Sequence, residues 1–159
     1  MKQLSAVALA GAMLLMTPAV AQNQNWLIGP WTLVSAIQTE GGRQQDYFGP
    51  HPIGQVIFDP GGQFSNILLR DDLVKFAKNN RLLGTPEENA AVIKGSIAYF
   101  GTYTLSGDTL KLHITGSTFP NWTGTDQTRI VHLAANQLIW ENAAGSGGGS
   151  VKQVYERTK

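Results

Sequence analysis

Residues 109–117 set the strongest constraint on this chain: Leu110, Leu112, Ile114 and Gly116 share one parity, and Lys111, His113, Thr115 and Ser117 share the other. Successive side chains of an extended strand point to opposite faces, so this segment reads as a strand with one dry face and one wet face. Short β-rich runs recur along the chain at residues 31–39, 55–59, 63–70, 97–105, 127–133, 138–141 and 151–157. Turn chemistry separates them. Asp59-Pro60-Gly61-Gly62 and Ser106-Gly107-Asp108 are tight-turn sequences, Ala134-Ala135-Asn136 is a weaker one, and the glycine-rich stretch 145–150 reads as a floppy hairpin tip.

About eight short strands with brief links point to an all-β fold, an antiparallel up-and-down β-barrel, with an open sandwich as the alternative. Closure is favoured because no run carries the charges that protect a free sheet edge. One helix interrupts the pattern at residues 86–94. Thr85 is its N-cap, Pro86 suits the first helical position, Glu88 completes a capping box and Gly95 terminates it. Before it, residues 71–82 carry Leu73, Val74, Phe76 and Leu82 on what reads as a mobile flap. Apolar side chains on a loop need burial, and the barrel mouth is the nearest place for it.

The N-terminus has a different character. Lys2 precedes an apolar run over residues 4–16, and Pro18 leads into Ala19-Val20-Ala21, small residues where a signal peptidase cuts. Residues 1–21 are therefore expected to be a cleavable signal peptide and residues 22–159 the barrel domain. The run is short of the roughly twenty residues a spanning helix needs, so no stable membrane anchor is expected. The chain has no cysteine, which in an exported protein points to a core held by packing alone and to a bacterial periplasmic or secreted setting. Without Lys2, the remaining Lys and Arg balance the acids. A neutral surface argues against nucleic acid as a partner.

Parity assigns the faces. For antiparallel neighbours the apolar faces of 109–117 and 127–133 coincide only in registers of one parity. A connection centred on Trp122-Thr123 sets Leu112 beside Leu133, Ile114 beside Val131 and Arg129 opposite Gly116, with His113 and His132 facing each other on the outside. A two-residue turn at Ser106-Gly107 puts Tyr99, Gly101, Tyr103 and Leu105 inside. The interior is then apolar with a few polar tips: Tyr99, Tyr103, Gln127 and Arg129.

Gly29-Pro30-Trp31 at the start and Arg157 near the end resemble the G-x-W and terminal-arginine pairing of the lipocalin and fatty-acid-binding superfamily. Leu83-Gly84-Thr85-Pro86-Glu87-Glu88, then Ala98-Tyr99-Phe100-Gly101-Thr102-Tyr103, then Phe119-Pro120-Asn121-Trp122-Thr123-Gly124-Thr125-Asp126-Gln127 are similar to the bacterial and fungal lipocalin-like domain family across essentially all of residues 22–159. The resemblance implies a barrel closed at its base by Gly29, Trp31 and Arg157, with the arginine stacked on the tryptophan. It also implies small apolar molecules as ligands, although some relatives are cyclases or isomerases.

Among individual residues, Arg129 is the sharpest. A guanidinium inside a barrel must be paired or hydrogen-bonded. It can receive a ligand carboxylate, or be satisfied internally by Asp126, Asp46 or a tyrosine. Tyr99 and Tyr103 can hydrogen-bond a ligand or serve as plain core aromatics. Gln127, Trp122 and Phe76 complete the expected ligand-binding set, Trp122 from a loop at the cup mouth and Phe76 from the flap. His113 and His132 without a third ligand make a poor zinc site, so no metal and no cofactor is expected. The sequence shows no Ser-His-Asp order and no paired carboxylates. It reads as a binder of a small hydrophobic molecule, with or without a carboxylate. The alternatives are an isomerase or cyclase that shapes a reactive substrate, and a protein-binding inhibitor acting through its loops.

Overall fold

Strand β1 (Gly29–Glu40) is where the sheet closes on itself. A computed structural model describes residues 26–159, so the signal peptide expected over residues 1–21 lies outside the described residues. β1 pairs along one edge with β9 (Ser150–Arg157) and along the other with β3 (Ile53–Phe58) and then β2 (Arg43–Asp46). From β3 each strand pairs with the next through β4 (Gln63–Leu69), β5 (Ser96–Ser106), β6 (Thr109–Ser117), β7 (Asp126–Ala134) and β8 (Gln137–Asn142), all antiparallel. Eight strands thus make a closed up-and-down barrel, which excludes the open sandwich. The four-residue β2 extends one edge of β1. It has no counterpart in the sequence pattern because all four of its side chains are exposed and nothing alternates.

The expected strands match these elements to within a few residues, and so does the helix. α1 (Pro86–Gly95) has a complete capping box: Glu88 N donates to Thr85 Oγ1 and Thr85 N to Glu88 Oε2. The Asp59–Gly62 turn is held by Gly61 N donating to the Asp59 side chain and by Asp59 N donating to Gln63 O at 2.8 Å. At the β7–β8 turn, Ala135 sits at φ 54°, a left-handed conformation that costs an L-residue about 1 kcal/mol.

The in/out assignment from parity is correct for Leu110, Leu112, Ile114, Gln127, Arg129 and Val131. A bulge at Thr115 turns Gly116 outward beside the exposed Phe100, and the register drawn from parity is not the observed one. Leu112 faces Gln127 rather than Leu133, Arg129 faces Leu110 rather than Gly116, and His113 faces Asp126 rather than His132. The connection is shorter than its sequence looks. Pro120–Trp122 forms a tight 3-10 turn, and Gly124 at φ 78° swings the chain back into line. Gly124 N then donates to Ile114 O at 2.8 Å, and Ile114 N to Thr125 O at 3.0 Å. The displacement on β7 is an even number of positions, so no side chain changes face. The β5–β6 turn is likewise Gly107-Asp108, since Ser106 pairs with Thr109.

The apolar residues of the arm at 71–82, read from the sequence as a flap, are not buried in the mouth. Leu82 is 76 % exposed and Val74 47 %. The arm instead ties to its own helix: Ala77 N donates to Glu88 Oε1, while Phe76 packs at Gly84 and Leu73 at Gly95. The backbone bonds that Glu88 accepts from Ala77 and Thr85 hold its carboxyl below the usual pKa. The glycine-rich tip is also ordered, contrary to its composition. Gln38 Nε2 donates to Gly147 O and Gly148 O, Tyr47 Oη meets Ser146 Oγ at 3.1 Å, and Gly145 N donates to Gly149 O.

The core fills the barrel from its base. Trp31, Phe58, Leu110, Val131, Leu138 and Tyr155 are essentially inaccessible to solvent. Arg157 lies over the Trp31 ring, its Cζ 3.8 Å from the centroid, and donates to Ile28 O and Trp26 O. Gly29 allows that approach: its φ is 109°, and a Cβ there would stand 3.1 Å from Arg157 Nη1.

Candidate ligand-binding site

Above this base the interior turns polar. Asn66 on β4 and Tyr99 on β5 face each other across the ladder, and Asn66 Nδ2 donates to Tyr99 Oη at 2.8 Å. From the far side of the barrel, the Tyr155 hydroxyl lies 2.7 Å from Gln153 Oε1 and 3.2 Å from Asn66 Oδ1, sharing one proton between them. Burial pushes both tyrosine pKa values up, that of Tyr155 well above its usual value. Both phenols are therefore neutral at any physiological pH.

Arg129 enters this region from β7 and is 4 % exposed. Its Nη1 donates to Thr128 O at 2.9 Å and its Nη2 to Gln127 Oε1, while its Cζ stands 5.7 Å from the centre of the Trp122 ring. No acid among the described residues answers it. Asp126 pairs outward with His113 at 2.8 Å, Asp46 lies on exposed β2, and the other ion pair among the described residues is Arg70 with Asp72. Neither internal carboxylate considered from the sequence is a partner. Burial lowers the Arg129 pKa. A guanidinium starts so far above neutrality that it stays charged there.

The buried donors and acceptors are unevenly matched. The side-chain oxygens of Gln38 and Asn142 each accept a hydrogen bond of their own, and those of Asn66 and Gln153 share the one proton of Tyr155. Two buried side-chain atoms among the described residues have no partner, and both are N–H donors: Arg129 Nε and Trp140 Nε1. A buried donor left unpaired costs about 1–3 kcal/mol. Two buried N–H donors without partners make an interior suited to a molecule that brings acceptors.

One end of the barrel carries a surface cleft of about 600 Å³, open between Gln38, Tyr47, Phe48, Ile97, Phe119 and the α1 residue Ile93. Phe119 stands edge-on to Trp122, with centroids 5.7 Å apart, and Trp122 edge-on to Tyr99 at 5.2 Å. An aromatic path thus runs from the cleft to Arg129. α1 supplies part of the rim, while the arm before it stays outside.

The residues expected from the sequence divide by position. Tyr99, Trp122, Gln127 and Arg129 come together. Tyr103 sits nearer the base, edge-on to Phe58 with its hydroxyl donating to Asp59 O, and Phe76 lies within the arm. Asn66, Gln153, Tyr155 and Trp140 complete the polar interior, and the sequence reading does not single them out. Parity carries a signal for them, since Asn66 alternates with Phe64 and Leu68 on the buried face of β4. Among the described residues, no three His, Cys, Asp or Glu side chains gather as a metal site.

A family model described as the lipocalin-like domain matches residues 28–154. The chain belongs to that family. No curated protein sequence matches it. Solved structures that resemble this lipocalin-like barrel include the following three. A lipocalin-like protein from Bacteroides uniformis has 19 % identity and a TM-score of 0.47, covering 84 % of this chain and 99 % of its own. An uncharacterised protein from Bacteroides eggerthii has 15 % identity and a TM-score of 0.43, covering 83 % and 99 %. A mutant form of the fluorescent protein UnaG has 10 % identity and a TM-score of 0.40, covering 85 % and 98 %. No helix among the described residues is long and apolar enough to cross a membrane.

Proposed function

We propose that this lipocalin-like protein is exported and that its barrel binds a small, largely apolar molecule through an acidic group held by Arg129. One observation carries the reading: a guanidinium that is 4 % exposed, without an acid partner among the described residues and with an unpartnered Nε–H. An uncompensated buried charge is strongly unfavourable, and a carboxylate arriving with a ligand removes the deficit. The surrounding rings of Tyr99, Trp122 and Phe119 supply the apolar lining usual in small-molecule pockets. Export rests on Lys2, the apolar run at residues 4–16 and Ala19-Val20-Ala21. A bacterial envelope or secreted location follows from that pattern.

The test uses the fluorescence of Trp122 and the other tryptophans during titration with saturated fatty acids and with their methyl esters. The acids saturate the signal and the esters bind more weakly. Arg129→Met loses about ten- to a hundred-fold in affinity for the acids, the scale of a hydrogen bond to a charged group. Equal binding of acids by wild type and Arg129→Met, or no saturable change with any acid, overturns the reading.

A further inference from the structure

The second unpartnered donor lies deeper than the first. Val131, the next inward residue after Arg129 on β7, faces Trp140 across the ladder. One inward step along a strand is about 6.8 Å. The Arg129 guanidinium leans the other way, toward Gln127 and the ring of Trp122 at the mouth. Trp140 instead packs toward the base, its ring 5.8 Å from Phe58 and 6.3 Å from Tyr155, and it is wholly buried. The two donors therefore mark two levels of the interior.

Nothing among the described residues answers the Trp140 indole N–H. The amide facing it on β9, Gln153, already accepts from Tyr155 through its oxygen. Phenylalanine would fill much the same apolar space without a donor to satisfy, so a buried indole here is costly unless its N–H is used. A ligand already held at Arg129 can bring the acceptor.

We propose that Trp140 Nε1 donates a hydrogen bond to a second oxygen of the bound molecule, so that the preferred ligand is an oxygenated apolar acid: a carboxylate at Arg129 and a keto or hydroxyl oxygen deeper along its chain. This rests on the reading of Arg129 as the acid anchor and adds the requirement that the apolar part is not plain hydrocarbon. A site built to hydrogen-bond a substrate oxygen discriminates strongly against the analogue that lacks it. Trp140 is then the specificity-determining residue, and Arg129 sets which end of the ligand stays near the mouth.

The test compares palmitate with a set of mid-chain keto and hydroxy palmitates by calorimetric titration of the wild type, Trp140→Phe and Arg129→Met. The best-placed keto or hydroxy acid binds wild type about ten-fold more tightly than palmitate, the worth of one buried hydrogen bond. Trp140→Phe removes that preference and keeps the palmitate affinity, whereas Arg129→Met weakens both acids alike. A second measurement needs no variant: with indole nitrogen-15 labelling, the Trp140 N–H proton moves downfield with the oxygenated acid and not with palmitate. If palmitate binds through Arg129 but every oxygenated acid binds no better, or if the preference survives Trp140→Phe, the inference is overturned and the acid anchor stands. If no acid binds wild type, the anchor falls and this inference with it.

Discussion

The barrel holds two arginine–tryptophan pairs, and they differ in what is left over. At the base, Arg157 covers Trp31 at 3.8 Å and its donors reach the carbonyls of Ile28 and Trp26. In the upper interior, Arg129 stands 5.7 Å from Trp122 with Nε unpartnered and no acid among the described residues in reach. The first pair is complete within the protein, closing the barrel by joining β1 to β9. The second is incomplete, and a buried charge without a counter-charge is destabilising. The same two residue types thus close the barrel in one place and, in the function proposed above, serve recognition in the other. What separates them is the supply of acceptors around the guanidinium.

The largest test of this contrast is at the base. Trp31→Ala, which empties a fully buried position, is expected to cost about 3–5 kcal/mol in urea unfolding. A loss below about 1 kcal/mol, the size of an ordinary substitution, would mean that the base does not hold the barrel closed. Next comes the same substitution at both arginines. Arg157→Met is expected to lower stability by about 1–2 kcal/mol, the scale of a cation–π contact with its hydrogen bonds. Arg129→Met is expected to leave stability unchanged or raise it, as replacing a buried unpaired charge often does. Changes of the same sign and size at the two sites would erase the distinction.

The smallest effect is the pH dependence of binding. Burial lowers the Arg129 pKa, but a guanidinium starts far enough above neutrality to remain charged there. The ligand's carboxyl is then the titrating partner. Affinity is expected to be flat from about pH 6 to pH 9 and to fall in acid as the free ligand carboxyl takes up a proton near pH 4–5. In Arg129→Met this acid limb flattens. Calorimetry of one fatty acid across that range distinguishes the two.

Much of this is legible in the sequence because it depends on parity or on local chemistry. Alternation places Tyr99, Gln127 and Arg129 inside whatever the register, and Thr85 with Glu88 fixes the helix start from four residues. Register is not legible. The 3-10 turn at Pro120–Trp122 shortens a connection that reads as a long loop, and only the bonds from Ile114 to Gly124 and Thr125 reveal it. The ordering of the tip at 145–149 is hidden for a similar reason, since a glycine-rich composition cannot show that Gln38, far away in sequence, holds it. The surplus of donors is hidden too. Counting which acceptors are free requires knowing which side chains meet, and Asn66, Gln153 and Tyr155 meet only in the folded barrel.

The excursion between β4 and β5 has a consequence for how this barrel can vary. Leu69 pairs directly with Ser96, and Arg70 N donates to Gly95 O at 2.9 Å, so the chain leaves the wall and returns to it at one point. Everything between is stitched mainly to itself. Such a cassette can lengthen, shrink or be exchanged without shifting the pairing of a single strand, because its two ends already stand where a tight turn would put them. The rim of the cup can therefore diverge while its wall stays fixed.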